Sequence, residues 1–239
     1  MILLLGDIHA EYRLLFDRLK NLNPQPTAIL QVGDMGGEDK TYPDFPIPTY
    51  FIQGNHENWD TLYGTGDYPL MQKDTPKNLY HIANGEMITV EGLFVAGLGG
   101  NYSSKFLSMS RSDLPQGRRR HFTQHEVDDC MVDSLKAWYD LNRVLIDLTE
   151  VPSIEFSGVD ILLTHEAPSP YMNRNRNCGI GKINEVIKNA EPKLHFFGHH
   201  HYDGEYEYEG VKSYGLGMGF LTGMLLDPET LKVERINLI

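Results

Sequence analysis

The chain alternates short apolar runs with amphipathic stretches, and nearly every apolar run stops at a polar cluster containing glycine. Residues 1–5 (MILLL) are continuously apolar and end at Gly6, the pattern of a strand buried on both faces. Residues 28–32 and 49–53 repeat it. Tyr12 to Leu22 carries apolar side chains at 12, 15, 16, 19 and 22, the spacing of an amphipathic helix, closed by Pro24 and Pro26. Residues 79–83, 86–90 and 93–98 predict three more strands, with Asn84-Gly85 and Glu91-Gly92 as turns. After a polar stretch from Gly99 to Phe122, Thr123 and Glu126 make a capping box. Behind it Val127, Met131, Leu135, Trp138, Leu141, Leu145 and Leu148 recur at helical spacing. Residues 159–164 predict a strand, 180–190 a helix stopped by Pro192, and 193–197 a strand. Four strand-like runs follow at 205–209, 212–214, 220–226 and 232–236. No repeat or linker breaks the series, so one domain is expected over residues 1–239, with 99–150 as an inserted loop and helical region.

This alternation predicts an α/β fold. Five polar clusters, GDIH, GDMG, GNHE, THEAP and GHHH, each sit at the C-terminal end of a predicted strand. That edge is where α/β sheets bind ligands, and neighbouring strands would bring all five to one rim.

Charge and cysteine usage narrow the class. The net charge of −12 argues against a general nucleic-acid binder. Lys105, Arg111, Arg118, Arg119 and Arg120 nevertheless crowd a stretch whose single acid is Asp113, where an anionic substrate could land. Cys130 and Cys178 lie far apart in no paired motif, which suits a reducing cytoplasm. No apolar run is long enough to span a bilayer, and the N-terminus lacks the basic region of a signal peptide. A cytoplasmic protein without a membrane partner is expected; the oligomeric state is left open.

The clusters supply Asp7, His9, Asp34, Asn55, His165, His199 and His201, oxygen and imidazole donors without thiolates. That mix suits Mn, Fe, Zn or Ni and is too rich in imidazole for Mg or Ca. Asp-x-His alone is weak; Gly-Asn-His-Glu is strong, with on the order of 0.01 chance matches in this composition.

From Gly6 to His201 the series resembles the five signature blocks of the calcineurin-like metallophosphoesterases. The resemblance implies a four-layer α/β/β/α sandwich and two divalent ions, manganese first. Asp7, His9 and His201 would bind one ion, Asn55, His165 and His199 the other, and Asp34 both. His56 would be no ligand but would assist the leaving oxygen. Two ions about 3.5–4 Å apart would clamp the phosphate and activate a shared water, the attacking group.

Protein Ser/Thr phosphatases and dinucleotide tetraphosphatases of this family carry Asp-Arg-Gly after the second block. Here the run is Gly33-Asp34-Met35-Gly36-Gly37-Glu38. A looser likeness links residues 80–105 (with VEGLFVAGLGGNYSSK) to the RNA lariat debranching enzymes and small bacterial relatives. Those debranching enzymes have cysteine at the position of Asp7 and an extra C-terminal domain that this chain lacks. The likeness implies a substrate loop over residues 101–122, with Asn101, Tyr102, Arg118, Arg119 and Arg120 as contacts; a tyrosine can stack on a base. His121 and His125 are open between substrate and structural roles. Residues 177–182 are a second candidate for holding a phosphate at a helix start, or a plain loop. Glu57 either orients His56 or opens the next helix. His195 is core or surface, and His200 points away from the ligands.

The expected function is a phosphodiesterase acting on a nucleotide or short nucleic acid, RNA included. The alternatives are a phosphomonoesterase or protein phosphatase, and a non-catalytic protein-binding scaffold on the same fold. Every ligand position holds a competent donor, which favours the enzyme.

Overall fold

Side-chain alternation along β1 (Ile2–Leu5) sets the layering. All four residues are buried, but Ile2 and Leu4 join one apolar cluster and Leu3 and Leu5 another. A strand apolar on both faces must be covered on both, and each such side chain contributes about 1.5–3 kcal/mol when buried. The computed structural model describes residues 1–36, 42–57, 76–100 and 158–239.

Two six-stranded mixed sheets form the centre. The first runs in the order β14 (Val233–Asn237), β13 (Thr222–Leu226), β1, β2 (Ala28–Gln31), β3 (Thr49–Phe51), β4 (Leu79–His81). The second runs β11 (Gly204–Tyr208), β12 (Val211–Gly215), β10 (Leu194–Phe197), β7 (Ile161–Thr164), β6 (Leu93–Leu98), β5 (Met87–Val90). Strands β1 to β4 are mutually parallel, as are β6, β7, β10 and β12. The antiparallel pairings lie towards the sheet edges.

Ile2, Leu4, Leu30, Val32, Ile161, Leu163 and Phe196 fill the space between the sheets. On the outer face of the first sheet, α1 (Tyr12–Leu19) packs Tyr12, Leu15 and Leu19 against Leu3, Leu5 and Ile29. On the outer face of the second, α2 (Gly181–Ala190) packs Ile183, Val186 and Ile187 against Leu98, Leu162 and Phe197. Helix, sheet, sheet, helix are the four layers expected from the sequence.

Two local expectations are corrected. Helix α1 stops at Leu19 rather than Leu22, because Gln25 Nε2 takes the carbonyls of Leu19 (3.2 Å), Lys20 (3.3 Å) and Leu22 (2.6 Å) that end the helix. Residues 177–182 are not a plain loop: Asn177 belongs to a small antiparallel hairpin of β8 (Met172–Asn173) and β9 (Arg176–Asn177). The expected helix at 123–148 lies outside the described residues. So do Asn101, Tyr102, Arg118, Arg119, Arg120, His121 and His125. Among the described residues no helix is long and apolar enough to cross a membrane.

Candidate metal centre

Parallel pairing within each sheet puts the ends of β1, β2, β3, β7 and β10 at one edge, and the residues just beyond them interlock. Ile8 and His9 both donate their backbone N–H to Asp34 O at 2.9 Å. His199 N donates to Asp7 Oδ1 (3.1 Å) and His56 N to Asp34 Oδ1 (2.7 Å). Buried Gln31 ties the first two clusters together: its Nε2 donates to Gly6 O, and its Oε1 accepts from Gly33 N.

The glycines of these clusters provide clearance. A Cβ on Gly54 would stand 2.1 Å from Asp34 Oδ1, and one on Gly198 would stand 2.5 Å from Asp7 Oδ1. The backbone is also unusual. His9 (φ 48°), Asp34 (φ 56°), His199 (φ 68°) and His201 (φ 57°) are all left-handed. Such residues cost of order 1–3 kcal/mol each and gather where function requires them.

The seven candidate side chains fall into two groups around Asp34. Asp7, His9, Asp34 and His201 each offer an atom within one 4.8 Å cluster, and Asp34, His165 and His199 form a second. In the first, His9 Nε2 lies 3.1 Å from His201 Nε2 and 3.8 Å from Asp34 Oδ2. In the second, His165 Nε2 lies 3.6 Å from Asp34 Oδ1 and 3.0 Å from Asn55 Oδ1.

The arrangement fits cations. Asp7 and Asp34 are buried carboxylates, and among the described residues no lysine or arginine pairs with either. Burying an uncompensated charge costs several kcal/mol. Among the described residues Asp7 Oδ2 has no hydrogen bond of good geometry, its nearest neighbour being His201 Nε2 at 2.8 Å. His165 Nδ1 lies 2.8 Å from the Val32 carbonyl and must carry the proton to donate there. Burial disfavours charge on this ring, yet Asp34 and Asp7 raise its pKa; once deprotonated at Nε2 it would face the oxygens of Asn55 and Asp34 with a lone pair. These acceptors need a positive charge between them, and they match the hard and borderline donors of a transition-metal site.

Electrostatics agrees for Asp34 and His199, whereas His201 would have to give up a favoured proton to a metal. Burial opposes the charge on Asp34, but His165, His56 and His9 outweigh it and hold its pKa below the ordinary carboxylate range. Burial pushes His199 well below the usual imidazole value, aided by His165 and His200, which keeps the ring neutral as a ligand must be. Contact with the Asp7 carboxylate raises His201. His56 is half-buried at the rim, its ring centroid 5.4 Å from that of His9.

Three side chains have roles that the motifs did not reveal. Glu57 has a part that its motif did not show. Its fully buried carboxylate accepts from Met35 N (3.1 Å), Gly36 N (3.2 Å), Gly54 N (3.0 Å) and Tyr42 OH (2.6 Å), clasping the second and third clusters together. His195 is core, held between Thr164 Oγ1 (2.9 Å) and Ser213 Oγ (3.0 Å). Since Thr164 donates to Glu166 O, His195 Nε2 donates to Thr164, while the Ser213 hydroxyl lies between His195 Nδ1 and Val211 O (3.3 Å). His200 turns from the donor groups and stacks on Tyr171, ring centroids 4.3 Å apart at 16°.

The comparisons with known proteins point one way. The sequence pattern of the calcineurin-like phosphoesterase family matches residues 1–203. An uncharacterised protein of Haemophilus influenzae is 25% identical over 220 residues, covering 84% of this chain and 83% of that protein. A Drosophila melanogaster CWF19-like protein 1 homolog is 23% identical over 213 residues, or 82% of this chain; the match spans 34% of that longer protein. The crystal structure of TT1561 from Thermus thermophilus superposes with a TM-score of 0.57 at 17% identity, covering 100% of this chain and 98% of the other.

Proposed function

This chain belongs to the calcineurin-like phosphoesterases, a family of metal-dependent phosphoester hydrolases, and from that premise we propose that it cleaves phosphodiesters of nucleotides or short nucleic acids with two divalent ions, manganese first. The observation that carries the reading is the position of Asp34, buried and within reach of both donor groups.

In this reading Asp7, His9, Asp34 and His201 hold one ion, and Asp34, Asn55, His165 and His199 the other. When bound, such ions supply Lewis-acid charge to phosphoryl oxygens and lower the pKa of water. The rest falls to the chain. Asp34 accepts the backbone N–H of His56, which favours its ionised form. The Val32 carbonyl fixes the His165 tautomer, so that Nε2 faces inward as a lone pair. Glu57 fixes the separation of the loops bearing Asp34 and Asn55. His56 stands at the open side with its backbone anchored on Asp34, and its imidazolium can deliver a proton to the departing oxygen. The run Met35-Gly36-Gly37-Glu38 lacks the Asp-Arg-Gly of the protein phosphatases and dinucleotide tetraphosphatases, which counts against both.

The test is hydrolysis of bis-p-nitrophenyl phosphate and of a 3′,5′-linked dinucleotide by protein reloaded with Mn, Fe, Zn or Ni. Mn-supported turnover of both is expected. His56→Ala should lose about 10²–10⁴-fold on the dinucleotide, whose alkoxide needs a proton. It should lose far less on the nitrophenyl ester, whose leaving group does not. Absence of turnover with every metal, together with no bound metal by elemental analysis, would sink the reading.

A further inference from the structure

The hairpin β8–β9 carries charge that the metal centre does not use. From Ala167 to Lys182 the chain contains Arg174, Arg176 and Lys182 and no acid, on a protein of net charge −12. Lys182 pairs with Glu185 at 2.7 Å. Arg174 and Arg176 are exposed, and among the described residues neither makes an ion pair or a side-chain hydrogen bond.

The hairpin is too short to be stable alone, since isolated two-stranded pairs are marginal even at greater length. It is fastened at its base. Asn177 Oδ1 accepts from Tyr171 N (2.9 Å) and Gly179 N (3.0 Å), and Asn177 Nδ2 donates to Ser169 Oγ (2.9 Å). Tyr208 OH donates to Pro170 O (3.0 Å). Tyr171 at the start of the hairpin lies flat on His200, which stands between the candidate ligands His199 and His201. The cationic turn therefore begins at the rim of the metal centre. Arg174 is three residues from Tyr171, about 10 Å along an extended strand.

Exposed apolar side chains flank the stacked Tyr171 and His200 in the chain. Tyr202, next to His201, is 55% exposed, and Met172, next to Tyr171, is 60% exposed. Free guanidinium forks and an exposed aromatic ring are what a single strand meets on proteins that hold it: cations along the backbone and a ring under a base.

We propose that this hairpin and Tyr202 seat a single-stranded oligonucleotide that extends from the metal centre, with Arg174 and Arg176 on its phosphates and Tyr202 under a base. The proposal deepens the phosphodiesterase reading and rests on it for the position of the reacting phosphate. The acidic net charge does not oppose such a seat, since the basic surface is local.

The experiment is fluorescence anisotropy of the purified, metal-loaded protein with a labelled eight-nucleotide phosphorothioate strand, which resists turnover, across about 50–200 mM salt. Arg174→Ala/Arg176→Ala should weaken binding and make the slope of log K against log salt shallower by about 1.4, or 0.7 for each lost phosphate contact. Arg174→Lys/Arg176→Lys should keep the parent slope. Tyr202→Ala should weaken binding about 5- to 100-fold with the slope unchanged. Equal melting temperatures of parent and variants would establish that each is folded. The proposal is overturned if the parent does not bind the strand, if the double alanine variant keeps the parent slope, or if thymidine monophosphate competes as well as the unlabelled strand. Binding with the expected slopes but no turnover of any phosphoester would instead sink the hydrolase reading and leave the seat standing.

Discussion

The two donor groups share Asp34 but differ in what encloses them. In the first, the side chains of His9 and His201 are 26% and 43% exposed. In the second, His165 is fully buried, hydrogen-bonded to Val32 O and packed beside His199 with ring centroids 5.0 Å apart; Asn55 is buried too. The imidazoles of the first group sit on the fold, whereas His165 and Asn55 are part of it; Asp7 is buried and His199 half-buried. The lesson is that equivalent ligands need not be equivalent residues: losing one removes a donor, and losing another removes a donor together with a piece of the core.

The largest test of this contrast is its common member. Asp34→Asn should reduce Mn-dependent hydrolysis by about 10³-fold or more and lower metal content in both groups, since a carboxylate shared by the two groups would serve both ions. One full equivalent of tightly held metal in that variant would break the idea of a shared ligand.

Next comes the comparison across the divide. His165→Ala leaves a cavity and an unpaired buried carbonyl, together worth about 3 kcal/mol. At about 2–4 °C per kcal/mol in a chain of this size, the metal-free protein should melt about 6–12 °C lower. His201→Ala should shift that melting temperature by about 2 °C or less while lowering metal affinity, because surface changes seldom exceed ±0.5 kcal/mol. Equal shifts would erase the distinction.

Chelation sharpens it further. With EDTA the open group should release its ion first, giving two phases of metal loss followed by a dye. A single phase would mean that exposure does not govern exchange.

The smallest effect lies behind the buried group. Burial lowers the pKa of His195 to about 3 from an ordinary value of 6.5. A lowered folded pKa means that the neutral ring supports the fold above pH 6.5, and that this support drains away as pH falls towards 3. Between pH 6.5 and 5.5 the loss is about 1 kcal/mol. His195→Gln should flatten that part of the denaturant-measured stability profile.

The sequence made the strands and their order of burial legible, because short apolar runs and period-two alternation act locally. The donor residues were legible because each follows a strand directly. What stayed hidden depends on contacts between distant segments. Glu57 looked like part of its motif, yet its partners Met35, Gly36 and Tyr42 belong to another loop. His195 gave no sign of the Thr164–Ser213 pair that holds its ring. The β8–β9 hairpin was missed because two-residue strands have no period; the alternating asparagines from Asn173 to Asn177 were the one available signal, as this residue tolerates the left-handed turn found at Arg174 and Asn175.

The left-handed backbone at His9, Asp34, His199 and His201 also bears on how this rim can change over generations. Branched residues such as Val, Ile or Thr are strongly disfavoured at those four places, and the tolerated alphabet shrinks towards Gly, Asn, Asp and His. Three of those four letters can themselves ligate. Random drift there therefore tends to exchange one donor for another, so a lineage can alter its metal preference more readily than it can lose the ability to bind metal.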